Sequence, residues 1–261
     1  MSRFVVIGER IHCISPVIRK AMDEMNPEPI LKRCKEQLDA GATYIDVNIG
    51  PAEGNGPELM KWAVQLLQSN FDNVPLALDT ANMAAIEAGI TVYNDEKGRP
   101  IVNSADAGDR LKYLDLAAAN GALCICLCSK GAVPGSYDEI MGFCQELLEH
   151  GMMLGMEPTD MWMDPLFLVA KGMQDKQQQI LDAIRGFSEM GLLSTGGLSN
   201  VSNGMPKELR PIMDSAMVSM SMANGLTSAI VNPCDQRLME SIKSCDILKD
   251  NYMYADSYLE L

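Results

Sequence analysis

Histidine is scarce in this 261-residue chain, which has only His12 and His150, and its eight cysteines include no CxxC pair. A zinc hydrolase of the multi-histidine barrel kind needs several imidazoles at one site, so that class is disfavoured. Cations are also few: 21 Lys plus Arg stand against 35 Asp plus Glu, for a net charge of −14. A phosphate backbone wants a basic face, so no nucleic-acid partner is expected. No apolar run approaches the ~20 residues of a membrane span, and the opening MSRFVVIGER lacks the plan of a signal peptide. A cytoplasmic protein with reduced thiols is the expectation, without a membrane partner. There is also no Pro/Gly/Ser linker long enough to split the chain, so a single domain over residues 1–261 is expected.

What is present is alternation. Eight short apolar runs occur at residues 4–7, 44–50, 75–79, 100–104, 122–128, 161–165, 192–198 and 226–232. Helical patterns follow them near 27–40, 57–70, 80–89, 107–120, 137–150, 174–190, 207–224 and 235–247. Asn26 reads as an N-cap and Gly41 as a C-terminal stop, while Thr80 or Asn82 opens the third helix. Strict alternation implies parallel strands with crossover helices, and eight such units close an α/β (β/α)8 TIM barrel. The competing open doubly wound sheet should carry a glycine-rich nucleotide fingerprint after its first strand, and none is there.

In such barrels chemistry sits at the carboxyl ends of the strands. Those ends carry Glu9, Asp46 with Asn48, Asp79, Asn103, Asp164, Asn200 and Asn232. Each alone is explained by a turn or a helix cap; the coincidence of so many at one face is not. Carboxylates and carboxamides suit a flat heteroaromatic ligand with an amide and amidine edge, because they accept paired N–H bonds and supply a donor beside an acceptor. Three carboxylates also suit a divalent cation. Around residues 196–204, GGLSNVSNG puts small residues and neutral polar groups where a ring approaches backbone closely.

Cys124, Cys126 and Cys128 share one face by their period-two spacing and read as small filler inside a barrel layer rather than as zinc ligands. Lys130 and Lys171 fall after strands rather than on them, which argues against a Schiff-base lyase. Most of the twenty methionines read as core or interface filler.

The motifs IGER, IDVNIGP, LDT-N, IVNS, MDP and GLSNVS, in that order, resemble the pterin-binding barrels. Within that group the chain is most similar to the methyltetrahydrofolate:corrinoid protein methyltransferases, and to the folate-binding module of cobalamin-dependent methionine synthase. The resemblance runs from Ile7 to the YADSYLEL tail. It implies that Asp79, Asn103 and Asp164 hold the pyrimidine edge of the pterin, and that Gly197, Ser199, Asn200 and Asn203 line the loop beside the ring. Arg210 would contact the ring from the next segment, although the spacing from Asn200 through GMPKELRP is longer than usual for the family. Asp46 would sit near the reacting end, and Asn200 would hydrogen-bond N5 as the methyl group transfers. Tetrahydrofolate or methyltetrahydrofolate is then the substrate, and no metal is bound by the chain itself. Neither histidine lies in a DxHxxG corrinoid-ligating motif, so the corrinoid (cobalamin) would arrive on a separate corrinoid protein docking over the barrel mouth. The family also implies a homodimer, with residues 213–222 a candidate contact that equally suits packing on the barrel.

Three rivals remain. Dihydropteroate synthase shares the barrel and pocket but needs cations near strand seven, and here none occurs until Lys207. A non-catalytic folate-binding protein explains Asp79, Asn103 and Asp164 by binding alone. A metal-dependent barrel lyase would use the carboxylate ring.

Overall fold

The computed structural model describes residues 3–259. Residues 1, 2, 260 and 261 of the expected domain, with the last two letters of YADSYLEL, lie outside the described residues. Eight strands are found: β1 (Val5–His12), β2 (Tyr44–Asn48), β3 (Leu76–Asp79), β4 (Ile101–Asp106), β5 (Leu123–Leu127), β6 (Met161–Asp164), β7 (Leu193–Ser194) and β8 (Ser228–Val231). They run in the order β7-β6-β5-β4-β3-β2-β1-β8, and every ladder between neighbours is parallel.

The circuit closes between β7 and β8 by other means. The expected run 192–198 pairs only at Leu193–Ser194, and Leu198 already begins a 3-10 turn that extends to Ser202. Ser194 N–H donates to Thr227 Oγ1 (2.9 Å), while Thr227 Oγ1 and Ser228 Oγ donate to Ser194 O (2.8 and 2.9 Å). Beyond them Ile230 N–H donates to Gly196 O at 2.9 Å. Hydroxyls thus replace ladder bonds where the Gly196-Gly197 pair turns the chain out of the sheet. No helix among the described residues is long and apolar enough to cross a membrane.

The helices are α1 (Pro16–Asp23), α2 (Pro27–Asp39), α3 (Gly56–Asn70), α4 (Met83–Thr91), α5 (Lys112–Ala119), α6 (Tyr137–Met153), α7 (Gln177–Glu189), α8 (Arg210–Ala223), α9 (Gln236–Leu248) and the short α10 (Asp256–Leu259). Asn26 and Asn82 do cap α2 and α4, accepting from Glu28 N–H and Ala85 N–H. Thr80 Oγ1 accepts from Asn82 N–H at 3.0 Å just before α4 and donates to Gly50 O at 2.5 Å. Gly41 ends α2 with φ +95°, a conformation that glycine adopts without a Cβ clash. On α3 the buried residues Leu59, Met60, Ala63, Val64 and Leu67 recur at helical spacing. Burying each large member of that stripe is worth about 1.5–3 kcal/mol.

Three differences from the sequence pattern bear on the site. The first strand continues past residue 7 to His12, through a register shift between Gly8 and Ile11 that pairs His12 with Asn48. The helix expected from residue 207 starts at Arg210, which frees residues 203–209 as a loop over the barrel. The cysteine stripe also faces the opposite way from expectation. Ile7, Ala77, Ile101, Leu123, Ile125 and Trp162 form the inner cluster of the barrel, whereas Cys124, Cys126 and Cys128 pack in the outer cluster with helix residues such as Leu114 and Leu147. Strand parity decides this, because Leu123 and Ile125 take the inward positions of β5. The methionine-rich stretch turns largely inward as well: Met217 and Met222 are buried, and Met220 is half exposed.

Candidate active site

The same parity that fills the barrel with apolar side chains ends, strand by strand, in polar ones. On β1 the inward set runs Val5, Ile7, Glu9; on β2, Tyr44, Asp46, Asn48; on β3, Ala77, Asp79; on β4, Ile101, Asn103. Registers bring these termini level, since Asn48 pairs with Asp79 and Asp79 with Asn103. The result is a cavity of about 750 Å³ at the carboxyl ends of the strands, within the range usual for small-molecule sites.

Two carboxylate–carboxamide pairs form its floor. Asn103 Nδ2 donates to Asp46 Oδ1 at 2.9 Å, and Asn48 Nδ2 donates to Asp79 Oδ2. Asp46 is buried, and burial is the main force raising its pKa well above the ordinary value, helped by the charge of nearby Asp79 and opposed by the Asn103 bond. Asp79 is pushed up to about 6 by burial, against the Asn48 hydrogen bond and the positive charge of Arg110. Each pair leaves the second oxygen of its carboxylate available for ligand N–H groups.

The first and seventh connections meet above this floor. Ser199 Oγ donates to Glu9 Oε2 at 2.6 Å, and burial raises Glu9 to about 7 despite that bond. Asn203 Nδ2 donates to Asn200 Oδ1 at 3.1 Å, which orients the Asn200 amide. Asn200 Nδ2 has no acceptor among the described residues, so a donor is left facing the mouth. Arg210 begins α8 and donates from Nε to Met205 O at 3.3 Å.

Of the nine residues singled out from the sequence, Asp46, Asp79, Asn103, Gly197, Ser199, Asn200, Asn203 and Arg210 line the cavity. Asp164 is not among the lining residues. It ends β6, accepts from Leu166 N–H at 2.8 Å, and is raised to about 7 by burial. A Cβ on Gly196 would stand 2.7 Å from its Oδ1, so the carboxylate lies directly against the β7 exit.

Glu9, Asn48 and Asn232 of the strand-end set line the cavity as well, although no role in binding or catalysis is read for them from the sequence. His12 lines the cavity too, because the shifted β1 carries it to the rim beside the carboxylates; burial lowers its pKa and favours the neutral ring. Asp214 is buried in α8 and raised to about 6, mainly by burial. A carboxylate one turn after Arg210, on the face shared with Met217 and Val218, was its sequence signal. Lys207 and Asp235 complete the charged rim. Among the described residues no group of three or more His, Cys, Asp or Glu is arranged to hold a metal ion.

An eight-stranded parallel barrel with acid and amide groups at its carboxyl mouth defines the class: residues 15–232 match the pterin binding enzyme family, and the chain belongs to it. At the level of the individual protein, it is 27% identical to the methylcorrinoid:tetrahydrofolate methyltransferase of Eubacterium limosum, over 97% of this chain and 94% of that one. It is 25% identical to the methionine synthase of Mycobacterium leprae over 87% of this chain, which corresponds to 20% of that much longer protein. Among solved structures, a Yersinia pestis dihydropteroate synthase in complex with a sulfonamide drug superposes with a TM-score of 0.75 at 18% identity, covering 96% of this chain and 95% of that one. At such identity the superposition establishes the shared barrel fold.

Proposed function

We propose that the protein transfers a methyl group between N5 of a reduced folate and the cobalt of a corrinoid carried by a separate protein. The observation that carries this is the likeness to the methylcorrinoid:tetrahydrofolate methyltransferase over nearly the whole of both chains. The cavity supports it. Asp79 and Asn103 in its lining take the amidine edge of the pterin, with Gly197, Ser199, Asn203 and Arg210 along the ring; Asp164, which does not line the cavity, joins that edge from behind the β7 exit. The cavity has the volume of a folate-sized site, and a corrin macrocycle is too bulky to share it, which favours delivery by a docked partner. Docked over the mouth on its carrier protein, the corrinoid would supply the cobalt centre that exchanges the methyl group.

The residues of this chain act on the folate. An amine nitrogen gains basicity as it loses a methyl group, so a hydrogen bond to N5 strengthens through the transition state. Asn200 Nδ2, with its amide oriented by Asn203, is that donor. The amide does not ionise, and the proton comes from solvent beside Asp46. By microscopic reversibility the same groups serve both directions. The relative is a methylcorrinoid:tetrahydrofolate methyltransferase, with methylcorrinoid named first, which supports flow towards methyltetrahydrofolate, as in methylotrophic demethylation. A cytoplasmic homodimer completes the reading.

Dihydropteroate synthase is the second reading, and one observation favours it: Lys207 and Arg210 place cations at the mouth beside the β7 exit. An anaerobic optical assay separates the two. Purified protein is mixed with reduced cobalamin and methyltetrahydrofolate, then with methylcobalamin and tetrahydrofolate. Methyl transfer in either mixture is expected. Absence of transfer in both, and with corrinoid proteins as acceptor or donor, would overturn the proposal; dihydropteroate formation from p-aminobenzoate and the pterin diphosphate would establish the rival. Folate affinity without any turnover would leave a binding protein.

A further inference from the structure

The cavity is electrically lopsided. Glu9, Asp46, Asp79, Asp214 and Asp235 line it, and its only lining lysine or arginine residues are Lys207 and Arg210. Both cations belong to the connection after β7. In the eight-strand circuit β3 and β7 stand four strands apart, on opposite walls. Asp79 on β3, with Asn103 on the neighbouring β4, therefore faces the wall from which Lys207 and Arg210 rise.

Among the described residues eight Lys and Arg side chains pair with a carboxylate, and Lys207 is not one of them. Arg10, Arg99, Arg110 and Lys130 are each engaged with a carboxylate within 3.0 Å. The Lys207 ammonium makes no ion pair or hydrogen bond with any described residue, although it is exposed on the rim of an acid-lined cavity. Among the described residues the Arg210 guanidinium makes one hydrogen bond, from Nε to a backbone carbonyl, so its terminal nitrogens have no hydrogen-bond partner there, although its charge acts on Asp214.

The chemistry of the ring connects these facts, given the reading above. In a pterin the 2-amino/N3 edge and the N5 edge lie on opposite sides of the bicycle, and the C6 substituent leaves next to N5. With the first edge at Asp79 and Asn103 and N5 at Asn200, the substituent departs along the loop that Asn200 opens. Lys207 and Arg210 are on that loop and on the helix start it leads into. In a folate that substituent ends in the carboxylates of glutamate. Elsewhere the lining would repel them, and His12 is held towards its neutral form.

We propose that Lys207, with Arg210 beside it, forms a subsite for the anionic glutamate end of the folate, so that the enzyme selects pteroylglutamates over tail-less pterins and gains affinity from additional γ-linked glutamates. The inference rests on the folate assignment. Lys207 binds by charge on a flexible stem, a requirement arginine also meets.

The test is equilibrium binding, measured anaerobically by calorimetry, of 6-methyltetrahydropterin, tetrahydrofolate and tetrahydrofolate triglutamate. Wild-type protein is compared with Lys207→Met and Lys207→Arg. Lys207→Met should weaken tetrahydrofolate about three- to tenfold, leave 6-methyltetrahydropterin unchanged and abolish most of the triglutamate advantage. Lys207→Arg should retain at least half of the wild-type affinity, and the preference for folate over pterin should shrink with added salt. Equal affinities of wild type for pterin and folate, or equal losses for both in Lys207→Met, would overturn the subsite while leaving the pterin pocket standing. Failure of wild type to bind any of the three ligands would instead defeat the folate assignment, and the subsite with it.

Discussion

Asn103 on β4 donates to Asp46 on β2 at 2.9 Å, reaching past β3 across the barrel interior. The bond ties two strands that share no ladder, and it fixes one oxygen of a carboxylate that burial drives towards the protonated form. With Asn48 and Asp79 alongside, the floor of the cavity is two carboxylate–carboxamide pairs whose acids burial drives towards protonation.

Asn200→Ala should lower single-turnover methyl transfer about a hundredfold while changing the folate dissociation constant less than threefold. A donor that strengthens only in the transition state affects rate far more than binding. Stopped-flow absorbance and calorimetry on the same variant supply the two numbers. Equal losses in both would leave Asn200 a binding residue only.

Asp79→Ala should weaken tetrahydropterin binding about ten- to a hundredfold, because the ligand edge loses charged acceptors worth ~1.5–3 kcal/mol. The substitution also leaves Asn48 Nδ2 without its partner. Asp79→Asn keeps the shape and removes the charge. An unchanged dissociation constant in both variants would move the amidine edge away from β3.

The ligand-free protein should lose stability as pH rises from about 4 through about 7. Glu9 and Asp164 are raised to about 7 and Asp79 to about 6, chiefly by burial, whereas their unfolded values lie near ~4. Between those limits the folded chain binds more protons than the unfolded one. Their stabilising contribution is therefore complete below ~4 and is lost as pH passes through the folded values. Asp106, held below the ordinary range by its Arg110 and backbone partners, acts in the opposite sense at the acid end, and His12, lowered by burial, also opposes the trend below its ordinary value of ~6.5, one group against three. Thermal midpoints at about pH 5.5 and pH 8 should differ accordingly, with the higher one at pH 5.5, and Glu9→Gln should flatten the slope. A midpoint rising over that interval in the wild type, with the same slope in the variant, would contradict the burial of these charges.

Gly196→Ala should destabilise the fold by about 1–3 kcal/mol. A Cβ there would lie 2.6 Å from the Phe167 ring and 2.7 Å from Asp164 Oδ1, and neither neighbour has room to withdraw from the packed β7 exit. Urea denaturation measures the loss. Unchanged stability would show that the exit relaxes.

Parity and strand ends brought the polar residues of the cavity into view, and their roles came from the family resemblance. The spacing of Asp46 and Asn48 puts both on one face of their strand, and the strand ends read as polar one after another. Loop punctuation located Ser199 and Asn200 for the same local reason. The β5 cysteines escaped correct placement because spacing shows that three residues share a face without saying which face is inside. His12 escaped because a register shift within one strand leaves no mark in composition.

The sequence by itself determined the eight strand–helix units, their parallel arrangement and the polar character of one end of the barrel, since each follows from side-chain alternation over a few residues. Only the tertiary structure decided which acid meets which amide, and that Ser199 reaches Glu9 from 190 positions away along the chain. It also decided that Lys207 and Asp214 come to the mouth. Those relations depend on stagger and closure around the whole barrel, where a shift of one residue moves a side chain to the opposite face, and no local pattern carries that information.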